Sequence, residues 1–265
     1  MANVDTERPL IALLSDFGIQ DNYVGIMKGV IFGLNPKASL IDISHEIPPY
    51  NITAGRYILE TSYGQFPQGT IYLAVVDPGV GTACRPVLIE TENYFFIGPD
   101  NGLFSFLRER EIKRILVLNR SKYHLQEISA TFHGRDIFAP VAGYLSLGVA
   151  PEEMGSKMKS ILRPQAKSYK KMGKFTIGTV IYIDRFGNLV TSLRKEDLPG
   201  GKYLVHLNQK SVGLLKKTFG SVETGEPVCY INSFGYLEIA IREGSAAEHF
   251  EIDYSDEAKI LIAPV

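Results

Sequence analysis

One repeating pattern organises the first half of the chain: a short apolar run, an amphipathic stretch at helical spacing, then another short apolar run. Residues 9–15 (PLIALLS) are too few for a helix and end at Asp16-Phe17-Gly18, so they read as a buried strand. Residues 22–34 place Val24, Met27, Val30, Ile31 and Leu34 on one helical face. Asp21 stands where a cap would be, and Asn35-Pro36 stops the run. A second strand is expected at 39–43 (SLIDI), a second helix at 54–63, and a third strand at 70–76 (TIYLAVV), which ends at Asp77-Pro78-Gly79. Strand–helix–strand alternation implies parallel βαβ units, because parallel neighbours need a crossover between them. Further strands are predicted at 87–90, 94–97 and 114–118, and a helix at 137–147. Asp136 would cap that helix, and Pro140 is tolerable only in its first turn.

The pattern breaks between residues 148 and 173, where Lys, Pro, Ser and Met replace the apolar periodicity. Beyond it, short β-rich segments at 174–183, 189–193, 203–207, 227–231, 236–241 and 259–262 are separated by Gly, Asn, Asp and Pro. The expected fold is therefore an N-terminal α/β domain with a central, mostly parallel sheet (1–160), a linker (161–173), and a smaller all-β domain (174–265), sandwich or barrel-like. The 265 residues suffice for two such cores at roughly 100–200 residues per domain.

Charge removes several classes of function. With 28 basic against 29 acidic side chains and no run of about five or six like charges, electrostatic capture of nucleic acid or of an anionic membrane is not expected beyond what a small local patch could do. No stretch reaches the roughly 18 consecutive apolar residues of a membrane span, and MANVDTERPL lacks the order of a signal peptide, so a cytoplasmic location is expected. Cys84 and Cys229 are far apart without CxxC spacing. They read as small buried hydrophobes, not as a disulfide or zinc site.

Ligands of open α/β sheets bind beyond the carboxyl ends of the strands, which makes Asp16 and Asp77 candidates by position, against the alternative that each is a cap or turn former. The loop from Asp77 to Thr82 (DPGVGT) lets backbone approach a ligand but is not a phosphate loop. Cys84 stands where the third glycine of GxGxxG would fall, and no GxxxxGK[ST] occurs. His45-Glu46 does not extend to HExxH, and the five histidines lack ligand spacing, so no metal is expected. His133 lies in a loop (TFHGRD) just before a helix. Residues 183–188 (IDRFGN) combine acid, aromatic and amide, either to stack and hydrogen-bond a heterocycle or as a hairpin turn with Phe186 in the core.

Taken in order, SDFG with Asp21, VDPGVG (76–81), GPDNG (98–102), TFHGRD (131–136), DRFGN (184–188) and NSFGY (232–236) resemble one family across roughly residues 9–247. It is the S-adenosyl-L-methionine (SAM) hydroxide adenosyltransferases, adenosine-forming SAM hydrolases related to the fluorinase and chlorinase. The resemblance implies a homotrimer whose ligand lies between the N-terminal domain of one chain and the C-terminal domain of the next. It implies that Asp77, Arg85 and His133 position and activate water, and that Asp16 holds the ribose diol. It places Asp21, Asp184 and Ser233 near the methionine amine and carboxylate, Phe186 and Asn188 at the adenine, and Tyr50 and Phe132 as walls around the sugar. SAM is then the substrate and no cofactor is implied.

The implied reaction is substitution at the ribose 5′ carbon, with neutral methionine leaving a sulfonium. Charge is destroyed along the way, so a dry pocket favours it, and in-line positioning of water can contribute up to about 7–11 kcal/mol. Three positions depart from related patterns. Cys84 stands where the hydrolases are expected to carry the arginine, leaving Arg85 as its nearest substitute; Gly134 stands where the fluorinase has a serine; Phe234 stands where the fluorinase has an arginine. The competing readings are a SAM-dependent halide transferase and a non-catalytic adenosine or SAM-binding module.

Overall fold

The computed structural model describes residue 4 and residues 7–164, 169–172, 175–198, 200–254 and 258–265. The chain divides into two compact units, Met1–Pro164 and Gln165–Val265.

The first unit contains β1 (Leu10–Ser15), α1 (Tyr23–Leu34), β2 (Ser39–Ser44), α2 (Ile52–Ser62), β3 (Ile71–Val75), β4 (Pro86–Thr91), β5 (Phe95–Pro99), β6 (Ile112–Val117), α3 (Ala139–Ser146), α4 (Pro151–Met154) and β7 (Ser156–Lys157). Its seven-stranded sheet has the order β2-β1-β3-β5-β4-β6-β7. The first four strands in that order run parallel, and β4, β6 and β7 join antiparallel. Alternation along β1 sorts the core. Ile11 and Leu13 face a layer built with Met27 and Ile31 of α1 and Val141, Ala142 and Leu145 of α3. On α2, a Cβ at Gly55 would stand only 3.0 Å from the Val76 side chain. Burial on both faces explains why β1 and β3 are continuous apolar runs and not alternating ones.

Two expected caps are not caps. α1 begins at Tyr23 after Asn22, and Asp21 lies exposed without capping it. Asp136 sits inside a π-helical turn (Gly134–Phe138) that precedes α3; its carboxylate is drawn away from any cap by the Ser129 amide and the Arg135 guanidinium. Pro140 does fall in the first turn of α3, where its missing N–H costs nothing. Asn51 is the cap that composition alone did not single out, its side-chain oxygen accepting from Ala54 N at 3.0 Å.

The segment beyond residue 160 is docked on the first unit. Leu162 N donates to Asp100 Oδ1 at 2.7 Å, and the Arg163 guanidinium donates to the Ser105 and Leu107 carbonyls. Of the expected linker, residues 165–168 and 173 lie outside the described residues, as does Lys174. Its remaining part forms β8 (Tyr169–Met172), paired with the strand that follows.

The second unit continues with β9 (Phe175–Ile183), β10 (Leu189–Arg194), β11 (Tyr203–Leu207), β12 (Lys210–Leu214), β13 (Pro227–Ile231), β14 (Tyr236–Ile241), α5 (Ala246–Phe250) and β15 (Lys259–Pro264). The strand order is β12-β11-β15-β9-β10-β14-β13, with every named pairing antiparallel. A bridge from Leu215 to Cys229 joins the two ends of that order, so the sheet is a nearly closed barrel and not a sandwich. Leu189, Leu193, Val205, Ile239 and Ile260 fill it, with Phe250 of α5 against them.

Candidate active site

Parallel pairing sets two carboxylates at one sheet edge. β1 and β3 are neighbours with Ser15 in register with Val75, so Asp16 and Asp77 leave the carboxyl ends of adjacent strands. Asp16 Oδ2 accepts from the Tyr50 amide at 2.8 Å, and Asp77 Oδ1 accepts from the Gly79 amide at 3.1 Å. Burial pushes both carboxyls above the ordinary value of 3.8. For Asp77 the proximity of Asp16 adds to the rise, while the Gly79 amide and His133 oppose it. Asp16, Asp77 and His133 thus form one electrostatic group.

His133 reaches that group because its loop is pressed against the loop of Asp77. Gly81 has φ +75°, and a Cβ there would meet the Ala130 carbonyl oxygen at 2.3 Å, so only glycine permits the approach. His133 immediately precedes the π-helical turn, a backbone form that recurs at functional sites. Phe132 meets Phe17 and Tyr23 edge-on at 5.9 and 5.2 Å between ring centres, and lies 5.3 Å from the Arg135 guanidinium. Gly134 faces Met27, Phe132 and Phe17, whose atoms would lie 3.1 to 3.4 Å from any Cβ there.

Arg85 is held by Asp100. It stands just before β4, opposite Asp100 at the end of β5, and its guanidinium donates to Asp100 Oδ2 at 2.5 Å. Cys84 is the residue beside Asp77: its Cβ lies 3.5 Å from the position of a Cβ on Gly79. Burial, reinforced by Asp77 and Asp100, pushes its thiol up to about 11. Cys84 is only partly buried, unlike Cys229, so the expectation that both are core residues holds for Cys229 alone.

Tyr50 projects into solvent from a left-handed backbone conformation (φ 66°) while its amide serves Asp16. Asp21 is exposed near α1. His124 was not anticipated. It senses the charge of His133, and burial followed by that charge pushes its own pKa down; its Nε2 is buried with no hydrogen-bond partner among the described residues. No spacing rule links residues 124 and 133, which is why pattern reading passed over it.

In the second unit, Asp184, Phe186 and Asn188 share the turn between β9 and β10. Asp184 shapes it by accepting from the Phe186 and Asn188 amides, both at 2.9 Å, and from Asn188 Nδ2 at 2.8 Å. Phe186 is 78% exposed, so the turn does not bury it in the core. Ser233 lies exposed in the β13–β14 hairpin, where Asn232 Oδ1 accepts from the Phe234 and Tyr236 amides. Because Leu189 pairs with Ile239 and Arg194 with Tyr236, that hairpin and the 184–188 turn lie at opposite ends of β14. Asp184 therefore keeps company with Phe186 and Asn188, not with Ser233. Among the described residues, no group of three or more His, Cys, Asp or Glu is placed to hold a metal ion.

The profile of the SAM hydroxide adenosyltransferase N-terminal domain matches residues 11–155, and that of the C-terminal domain matches residues 178–259. The chain belongs to the SAM hydroxide adenosyltransferase family. It is 36% identical to an (R)-S-adenosyl-L-methionine hydrolase of Methanocaldococcus jannaschii, over 95% of each chain. A Thermus thermophilus protein of the same name is 37% identical over 90% of this chain and 94% of its own. A fluorinase of Actinopolyspora mzabensis is more distant, 28% identical over 92% of this chain and 94% of its own. Among solved structures, an uncharacterized conserved protein from Thermotoga maritima superposes with a TM-score of 0.86 at 33% identity, covering 96% of this chain and all of that one.

Proposed function

We propose that this chain hydrolyses SAM to adenosine and L-methionine, with water attacking the ribose 5′ carbon in line with the departing sulfide. The observation that carries the reading is the grouping of Asp77, Asp16 and His133 at the carboxyl edge of β1 and β3, within a chain similar to named hydrolases over nearly its full length. Two of those relatives carry names that specify the (R) sulfonium, and the same epimer is the proposed substrate.

Asp77 accepts a hydrogen bond from the attacking water and orients it. Its raised pKa makes it a stronger base than a solvated carboxylate. His133 stabilises the oxygen as it gains hydroxide character. Arg85 contributes charge from its place on Asp100, a weaker part than that of a guanidinium aimed at the water. Asp16 takes the ribose diol, since a carboxylate can accept from both hydroxyls while keeping the Tyr50 amide. Tyr50 and Phe132 flank the sugar, and Asp21 faces the methionine ammonium. In the second unit, Phe186 and Asn188 receive the adenine, Asp184 holds that turn, and Ser233 takes the methionine end. The leaving sulfide is neutral and the sulfonium carries its own activation, so the reaction needs no cofactor.

The assembly in this reading is a homotrimer with shared sites, because Phe186 at 78% exposure is an aromatic surface in want of a ligand and a wall. Light scattering is expected to give a trimer or a multiple of one; a fully active monomer would contradict it. No helix among the described residues is long and apolar enough to cross a membrane, and a cytoplasmic location belongs to the same reading. Incubation with SAM in oxygen-18 water tests the reaction. Adenosine labelled at the 5′ hydroxyl is expected, and unlabelled adenosine would exclude attack by solvent water.

A further inference from the structure

His45 follows β2 and is 5% exposed, and both of its ring nitrogens are engaged. Nδ1 lies 2.7 Å from Ser15 Oγ, and Nε2 lies 3.0 Å from Asp42 Oδ1. Asp42 also accepts from Lys28 Nζ of α1 at 2.6 Å. Burial pushes the Asp42 carboxyl up, but the hydrogen bonds from Lys28 and His45 outweigh it and hold the group below its ordinary value. An ionised Asp42 can only accept, so Nε2 of a neutral ring carries the hydrogen and Nδ1 is left as an acceptor. Ser15 then donates to His45, and its oxygen is free to accept from the Phe17 amide at 3.4 Å. All the donors point one way: Phe17 amide to Ser15, Ser15 to His45, His45 to Asp42.

The same composition, Ser, His and Asp, builds hydrolytic nucleophiles, but here the serine is 1% exposed and its hydroxyl is committed to the imidazole. The chain has a different end point. Ser15 is the last residue of β1, and the next residue is Asp16. On the far side of Asp16, the Gly18 amide donates to the His45 carbonyl at 2.8 Å, with Gly18 at φ +67°. The Asp16 carboxylate itself accepts from Tyr50, in the segment that His45 begins. Residues 15–18 are thus tied to residues 45–50 at three places, and the His45 side chain supplies the tie next to Asp16.

We propose that His45 is a positioning residue for the diol-binding carboxylate Asp16, acting through the Ser15 hydroxyl at the end of β1. The inference rests on the reading that Asp16 binds the ribose. A carboxylate that must accept from two hydroxyls and one amide has little tolerance for displacement, and a shift of about 1 Å can cost up to about 10²-fold. The imidazole is required for its Nδ1 acceptor. Asn can place a carbonyl oxygen where Nδ1 stands, whereas Gln reaches toward Asp42 and leaves Ser15 without an acceptor.

Binding of adenosine and of 2′-deoxyadenosine to the intact protein, measured by calorimetry, tests this together with kcat and KM for SAM. The wild type is expected to prefer adenosine, and Asp16→Asn to abolish that preference. If Asp16→Asn keeps it, the ribose reading fails and the inference falls with it. With Asp16 established, His45→Gln and Ser15→Ala are expected to lose about tenfold or more in adenosine affinity and to raise KM for SAM similarly, with a clearly smaller loss for 2′-deoxyadenosine, which offers Asp16 only its 3′ hydroxyl. His45→Asn is expected to restore most of the preference. Wild-type preference in both His45→Gln and Ser15→Ala overturns the proposal, as does an equal loss for the two nucleosides. Should His45→Gln fail to fold, Ser15→Ala decides alone: lost preference supports the proposal and retained preference ends it.

Discussion

Gly81 lies so close to Ala130 that a Cβ would stand 2.3 Å from the Ala130 carbonyl oxygen, and this approach joins the loop of Asp77 to the loop of His133. A side chain at 81 also meets the left-handed conformation, so two penalties coincide. Gly81→Ala is expected to push the loops apart and lower kcat by about tenfold or more, while unfolding remains one cooperative transition in each unit. Wild-type kcat in this variant would show that the approach does not matter to turnover.

Asp77, His133 and Arg85 should not behave alike. Asp77→Asn and His133→Asn are expected to lower kcat by about 10²-fold or more with adenosine affinity nearly unchanged, the pattern of groups that act on water and not on the ligand. Arg85→Met is expected to lower kcat by less than about tenfold, because its guanidinium is already engaged by Asp100. It should also lower the unfolding temperature, since Asp100 is buried and, among the described residues, retains the Leu162 amide on its other oxygen. Stopped assays on the three variants decide the order, and a loss for Arg85→Met equal to that of His133→Asn would restore it to full membership of the set.

These residues mark where local pattern ends. The parallel strands and α1 and α3 were legible because apolar periodicity and a stopping Asn-Pro are local, and the closing edge at Asp16 and Asp77 followed from strand polarity. The pairing of Arg85 with Asp100 depends on the β4–β5 register, and that of Ser15 with His45 spans 30 residues between parallel strands, so neither has a local signature. Asp136 has the composition of a cap but finds stronger partners in Ser129 and Arg135. β8 was hidden because YKKM has little apolar pattern of its own and gains its order from β9. Phe186 reads from residue type equally as a stacking surface or as core, and the turn that Asp184 shapes leaves it exposed.

Burial of the acidic pair has a measurable cost. Asp77 titrates above its ordinary 3.8 in the folded protein, chiefly through desolvation, so its protonated form favours folding and that contribution is lost as pH rises through the raised pKa. Asp77→Asn removes the ionisation while keeping an oxygen for the Gly79 amide. The variant is expected to unfold at a higher temperature than the wild type at pH 7, and the advantage should shrink as pH falls toward 3.8. Thermal unfolding across that range checks the sign. A variant less stable at pH 7 would mean that His133 and the Gly79 amide compensate Asp77 fully.

Halide should not replace water, and one glycine should not change that. A halide entering beside Asp77 would meet a carboxylate as it sheds its hydration, at a cost the pocket does not offset. Gly134→Ser introduces a hydroxyl donor beside His133, but its Cβ would stand 3.1 Å from Met27 Sδ and 3.3 Å from the Phe132 ring. Met27 is flexible enough to yield, so the variant is expected to fold, with reduced hydrolysis as the His133 loop shifts. The carboxylate of Asp77 remains, and chloride or fluoride at high concentration should still give adenosine and no 5′-halo-5′-deoxyadenosine. The double variant Gly134→Ser with Asp77→Ala removes the repulsion as well. If chromatography shows halogenated nucleoside from Gly134→Ser alone, the donor and not the carboxylate sets the choice of nucleophile, and the role given to Asp77 against anions is wrong.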